Sequence, residues 1–324
     1  MTLKEICRLL FLSIGLLLPM FGAAQSMKVT LLGTGAPDPS IDRFGPSTLI
    51  EAGSEKLLFD VGRGVSQRLW QLHIPLGQVN VLFLTHLHSD HTVGIPDLWL
   101  SGWLPTPFGR RSVPLQVFGP EGTEEMMGFL AKAYQRDVRF RIEGPGHIPQ
   151  TGTRLIGKDV NEGLVYEHNG VRVTAFVVDH GPIIRPAFGY RIDYGGRSVV
   201  ISGDTRPSEN LIKFAKGTDL LIHEVMAASP ELLKNSAAAR GIVALHSSPE
   251  EAGGVFERVK PRLAVYTHIS LLTTDPKIPA PTTADLIPRT RVLYAGPIEL
   301  GEDLMTIVVG DKVEVHRFVE GSSH

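Results

Sequence analysis

The chain is 324 residues long, and its 32 Lys and Arg against 34 Asp and Glu leave a formal net charge of −2. That balance gives no general basic surface for nucleic acid, and a 43% hydrophobic content excludes a disordered polypeptide. Length and composition fit one large compact α/β domain.

Residues 1–24 read as a signal peptide. Lys4 and Arg8 precede an apolar run at 9–20, and Gly22-Ala23-Ala24 offers the small residues that a signal peptidase requires. The run is short for a membrane span, so cleavage after Ala24 would release residues 25–324 as a periplasmic or secreted protein with no stable membrane anchor. An uncleaved anchor is the alternative. Cys7, the only cysteine, would leave with the leader, so the mature chain would carry no disulfide.

Beyond the leader, strands are expected at 27–32, 47–51 and 56–60, with a turn at 33–35 and a helix at 64–72. Gly33 and Gly35 imitate part of a dinucleotide fingerprint, but Pro37 and Pro39 stand where its helix would begin and the third glycine is missing. An apolar strand at 79–84 then runs into Thr85-His86-Leu87-His88-Ser89-Asp90-His91, with a helix expected at 92–103. Alternation along an extended backbone sends His86 and His88 to one side, and Asp90 and His91 follow at the turn. Burying so many imidazoles and a carboxylate without partners is costly, so the cluster points to two adjacent metal ions. A polar surface loop is the plain alternative.

A two-metal site needs more ligands than one loop supplies. Three further strands end on such groups: 171–178 at Asp179-His180, 198–202 at Gly203-Asp204, and 262–267 at His268. The stretches 105–109, 144–152 and 273–281 read as loops. Trp99 and Trp103 suit core packing or the wall of an aryl pocket, and Arg110 and Arg111 an anion site or a solvated loop.

The metal loop resembles the signature of the metallo-β-lactamase superfamily of hydrolases. The resemblance implies a four-layer αββα sandwich with its metals at one edge of the two sheets. It also implies a ligand set: His86, His88 and His180 for one ion, Asp90, His91 and His268 for the other, and Asp204 bridging both. Two divalent ions of zinc are expected, with manganese or iron as the other candidates. Asp60 is a candidate to orient a ligand imidazole or a plain turn aspartate. The bridging Asp204 disfavours a lactamase, since lactamases generally lack it.

The segments 43–48, 118–123, 203–208 and 246–252 are similar to the branch containing ribonuclease Z and the metal-dependent bacterial arylsulfatases. By that resemblance the catalytic residues are Asp90, His246 as proton donor to the leaving group, and Glu224, which orients His246. His223, on the opposite face of the same strand, reads as structural. The family's His-Glu-Ala-Thr motif is altered here to His223-Glu224-Val225-Met226. Ribonuclease Z also carries a long tRNA-grasping arm between the ligands matching His180 and Asp204, and this sequence leaves room only for a hairpin. Together with export, that absence leads to the expectation of a small-molecule sulfate ester or phosphodiester substrate, hydrolysed by a metal-bridging hydroxide, with nucleic acid unlikely and a homodimer as the family form. The alternatives are a ribonuclease Z-type tRNA 3′ endonuclease and a non-catalytic metal- or ligand-binding module.

Overall fold

The computed structural model describes residues 25–145 and 148–319. The leader expected at 1–24, with Cys7, lies outside the described residues. Among the described residues, fifteen strands form two sheets. The first is ordered β15-β14-β1-β2-β3-β4-β5-β6, with β1 Met27–Gly33, β2 Ser47–Ala52, β3 Glu55–Phe59, β4 Val81–Phe83, β5 Leu115–Gly119, β6 Leu155–Asp159, β14 Thr306–Val309 and β15 Val313–His316. The second is ordered β13-β12-β11-β10-β9-β8-β7, with β7 Gly163–His168, β8 Val171–Val178, β9 Ala187–Tyr194, β10 Arg197–Ile201, β11 Leu220–Ala228, β12 Leu263–Leu272 and β13 Ile298–Leu300.

Period-2 alternation builds the layers. On β10 and β11, Val199, Ile201, Leu220 and Ile222 face the other sheet and join Val29, Ile50, Phe59 and Phe83 in the central core. Their neighbours Val200 and Leu221 face outward, beneath the helices Glu209–Ala215, Pro249–Val259 and Leu286–Thr290. The outer face of the first sheet buries Leu49, Leu58, Leu82 and Val117 under α1 (Val65–Gln71), α3 (Ile95–Gly102) and α4 (Thr123–Ala133). The result is the αββα sandwich expected from the sequence. Phe59, Phe83 and Phe118 stack in series at centroid distances of 4.9 and 5.3 Å, stiffening the strands that lead to the site.

Strand direction decides where polar groups gather. β3, β4, β5 and β6 run parallel, as do β10, β11, β12 and β13. β8 and β10 are each antiparallel to β9, and so share a direction. The carboxyl ends of β8, β10 and β11 therefore reach one edge, as those of β3 and β4 do in the facing sheet, the place where open α/β sheets bind ligands.

Three local expectations are corrected. The helix expected at 92–103 is two helices, α2 (Ser89–Thr92) and α3, parted at Gly94, whose N–H donates to the Val61 carbonyl. No Cβ would fit at Gly94: it would stand 2.4 Å from the Gly62 carbonyl oxygen. β12 does not stop before His268 but continues to Leu272. Arg111 is neither an anion ligand nor a solvated side chain. It is fully buried and donates to the carbonyls of Leu76, Val79 and Trp99. Trp99 and Trp103 are buried in the outer core of the first sheet, and the Trp99 indole donates to the Thr153 carbonyl.

Candidate metal centre

The loop leaving β4 places His86 and His88 with their rings 4.6 Å apart, the His86 Nε2 lying 2.9 Å from the His88 Nδ1. α2 then turns Asp90 and His91 into the interior. From the second sheet come His180 beyond β8, Asp204 beyond β10, Glu224 on β11 and His268 on β12. All of the expected ligands except the exposed His88 are buried.

His268 needs a special backbone. On β12, Val265 faces the central core and Tyr266 the outer one, so strict alternation would turn His268 outward, under the helices. The β11–β12 register shifts between Glu224 and Val225, leaving His268 as an extra residue at φ 41°. This bulge aims the imidazole at the site and lets Ile269 resume the outward position.

The donors converge. His86, His88 and His180 each present a ligand atom within 4.8 Å of the others, and so do Asp90, His91 and His268. Asp204 lies between them, its Oδ2 being 3.2 Å from His268 Nε2, 3.5 Å from His91 Nε2 and 3.9 Å from His180 Nε2. His91 Nε2 and His180 Nε2 are buried and accept or donate no hydrogen bond. Buried polar atoms seldom stay unpaired, and imidazoles with carboxylates are the donor set of divalent metals. The residues fit a pair of such ions, as this fold implies.

Electrostatics agree. Burial, with the neighbouring His91, pushes His86 well below the usual imidazole range, and burial lowers His88 and His180, favouring the neutral form that ligates. His91 is held well above that range because Asp204 and Asp60 outweigh its burial. For Asp204 burial works upward, but the charges of His268 and His91 prevail and hold it well below the carboxylate range. A field that retains a proton among these groups equally favours a divalent cation.

Asp60, at φ 57°, does more than turn the chain: it holds the ring of His91. Its carboxylate accepts from the Thr85 N–H and hydroxyl, each at 2.8 Å, and lies 2.8 Å from His91 Nδ1. Asp60→Ala should therefore strand at least one buried donor and lower stability by about 1–3 kcal/mol. Denaturant unfolding measures this, and an unchanged midpoint would refute the assigned role.

His246 and Glu224 meet at the same edge. His246 Nδ1 is 3.2 Å from Glu224 Oε1, which also accepts from the backbone N–H groups of Thr205 and Ser247, both at 3.1 Å. The altered motif thus leaves Glu224 held in place, although Thr205 and Ser247 gave no sign of that task in the sequence. Burial lowers the His246 pKa, but the Glu224 charge and hydrogen bond more than offset it and raise the group to about 9. The helix Pro249–Val259 that follows is capped by Ser248, in a capping box with Glu251, which leaves the His246 imidazole free of that task. His223 turns away and packs edge-on against Phe256. The Leu245 carbonyl, 3.0 Å from His180 Nδ1, contributes through its backbone and so left no trace in the sequence.

Residues 55–269 match the family model described as beta-lactamase superfamily domain. The chain is 37% identical over 292 residues to a ribonuclease Z of Mycobacterium sp. (strain KMS), covering 90% of this chain and 96% of that protein. It is 35% identical over 292 residues to the ribonuclease Z of Mycobacterium marinum, covering 90% and 99%. Among solved structures, the metallo-beta-lactamase fold protein YhfI from Bacillus subtilis superposes with a TM-score of 0.67 at 19% identity, covering 87% of this chain and 99% of that one. The short form of human tRNase Z gives a TM-score of 0.59 at 24% identity, covering 86% and 98%. The two structures share the fold.

The curated relatives overturn two expectations, the small sulfate or phosphate ester substrate of an arylsulfatase-like enzyme and the improbability of nucleic acid. No long arm extends between His180 and Asp204, because residues 179–186 join β8 to β9 and Gly195-Gly196 joins β9 to β10. That does not separate this chain from proteins named ribonuclease Z, which match along 96% or more of their own length. Net charge misled for a different reason: it averages the whole surface and says nothing of one catalytic edge.

Proposed function

We propose, since the chain belongs to the beta-lactamase superfamily and within it to the ribonuclease Z group of metal-dependent hydrolases, that it cleaves phosphodiester bonds in RNA as a ribonuclease Z-type enzyme acting on the 3′ side of precursor tRNA. The observation that carries this reading is the 37% identity to a ribonuclease Z along nine-tenths of the chain. The clustered donors and the His246–Glu224 pair support it.

His86, His88 and His180 would hold one zinc ion, Asp90, His91 and His268 the second, and Asp204 would touch both. When bound, such ions supply Lewis acidity that polarises a phosphodiester and lowers the pKa of water. Asp60 fixes the ring of His91, and the Leu245 carbonyl fixes that of His180. Asp90, 3.3 Å from His268 Nε2, adds a second negative charge at the nitrogen that Asp204 also approaches. His246 then donates its proton to the departing ribose oxygen, while Glu224 keeps the imidazole protonated and aimed.

Glu224→Gln removes the charge that raises His246, so His246 loses its proton at a lower pH and the acid form runs out sooner. At saturating metal, the alkaline fall in turnover should therefore move to lower pH than in the wild type. An unshifted alkaline limb would remove His246 as the acid. The reading as a whole is tested by offering the zinc-loaded protein a 3′-extended precursor tRNA beside an aryl sulfate. Trimming of the tRNA supports it, and turnover of the sulfate with the tRNA left intact refutes it.

A further inference from the structure

A ligand imidazole that uses one ring nitrogen for metal must place the other N–H, and a carboxylate, carbonyl or hydroxyl normally receives it. Three of the buried histidines in the centre obey this on their Nδ1 side. His91 has Asp60 at 2.8 Å, His180 the Leu245 carbonyl at 3.0 Å, and His86 the Thr85 hydroxyl at 3.1 Å. His268 is the exception: its Nε2 faces Asp90 and Asp204, while its buried Nδ1 has no partner.

A second buried atom is stranded nearby. Glu224 commits Oε1 to three donors, and its Oε2 has none. Glu224, His246 and His268 present ligand atoms that all lie within 4.8 Å of one another. The rings of His246 and His268 are nearly parallel, at 19° with centroids 5.8 Å apart, so one carboxylate can serve both. Thr267, the residue before His268, is paired in register with Glu224.

We propose that Glu224 positions two imidazoles, His246 through Oε1 and His268 through Oε2, which accepts the N–H of His268 Nδ1. The bulge that re-aims His268 is then held by the same carboxylate that aims the proton donor, so the position of the donor and of one metal ligand are set together. This rests on the ligand assignment of the proposed function and extends it, since Glu224 otherwise serves His246 alone.

Glu224→Gln tests it with little risk to the fold. The single amide oxygen can still accept from Thr205, Ser247 and His246, which places the NH₂ group toward His268, where it cannot accept. Zinc affinity, measured by chelator competition, should fall roughly 10–100-fold at one of the two sites, whereas His246→Ala should leave both affinities as in the wild type. Unchanged affinity in Glu224→Gln would overturn the proposal. A second measurement needs no variant: in the zinc-loaded wild type, NMR should show an exchange-protected Nδ1–H on His268, and an unprotected one would overturn the proposal equally. Neither readout involves RNA, so a failure of the ribonuclease reading would appear separately, in the tRNA assay.

Discussion

Asp204→Ala should leave a folded protein that no longer holds two metal ions and no longer turns over substrate. Among the described residues, Asp204 is the one carboxylate within 4 Å of His91, His180 and His268 together. Removing it would delete the ligand proposed for both ions and also the charge that would offset the cost of burying either one. The loss of activity should exceed the roughly 10–100-fold effect of changing a mere supporting partner of a metal ligand. Metal content should fall from about two ions per chain to one or fewer. The sandwich core does not include Asp204, so the variant should still unfold cooperatively. A variant with two ions and wild-type turnover would show that the seven side chains do not form one binuclear centre.

The second large effect separates proton donation from metal assembly. His246→Ala should keep its metal and lose roughly 10²–10⁴-fold in turnover on RNA. His246 lies 3.2 Å from Glu224 and joins His180 and Asp204 in one cluster, where it can reach the departing oxygen. A ribose alkoxide is a poor leaving group and depends on that proton. A nitrophenolate is a good one, so the loss should shrink when a nitrophenyl phosphodiester is used as a probe. Equal losses on both substrates, or loss of an ion, would make His246 a ligand or a structural residue.

Much of this site was legible because its groups sit where apolar strands end, a pattern that periodicity reveals and that a common strand direction turns into proximity. His180 and Asp204 follow that rule, and Asp60 follows it on the facing sheet. His268 was located by the same rule, although β12 runs on to Leu272. The bulge that serves His268 is a relation between two strands, invisible in either one alone. The break at Gly94 was hidden because a single glycine inside a helical pattern is ordinarily tolerated. Arg111 misled since a buried guanidinium satisfied by backbone carbonyls has no sequence signature. The substrate class is illegible for a similar reason: a missing arm, an expected leader and a net charge of −2 describe the periphery, whereas the chemistry belongs to the edge where the sheets meet.

The measurement that bears most directly on the central claim is cleavage of a 3′-extended precursor tRNA by the purified protein, stripped of metal and then reloaded with zinc. The stripped protein should leave the RNA intact, and two equivalents of zinc should restore trimming to a single product in the wild type but not in Asp204→Ala. Intact RNA after reloading, or trimming that persists without metal, would contradict the account.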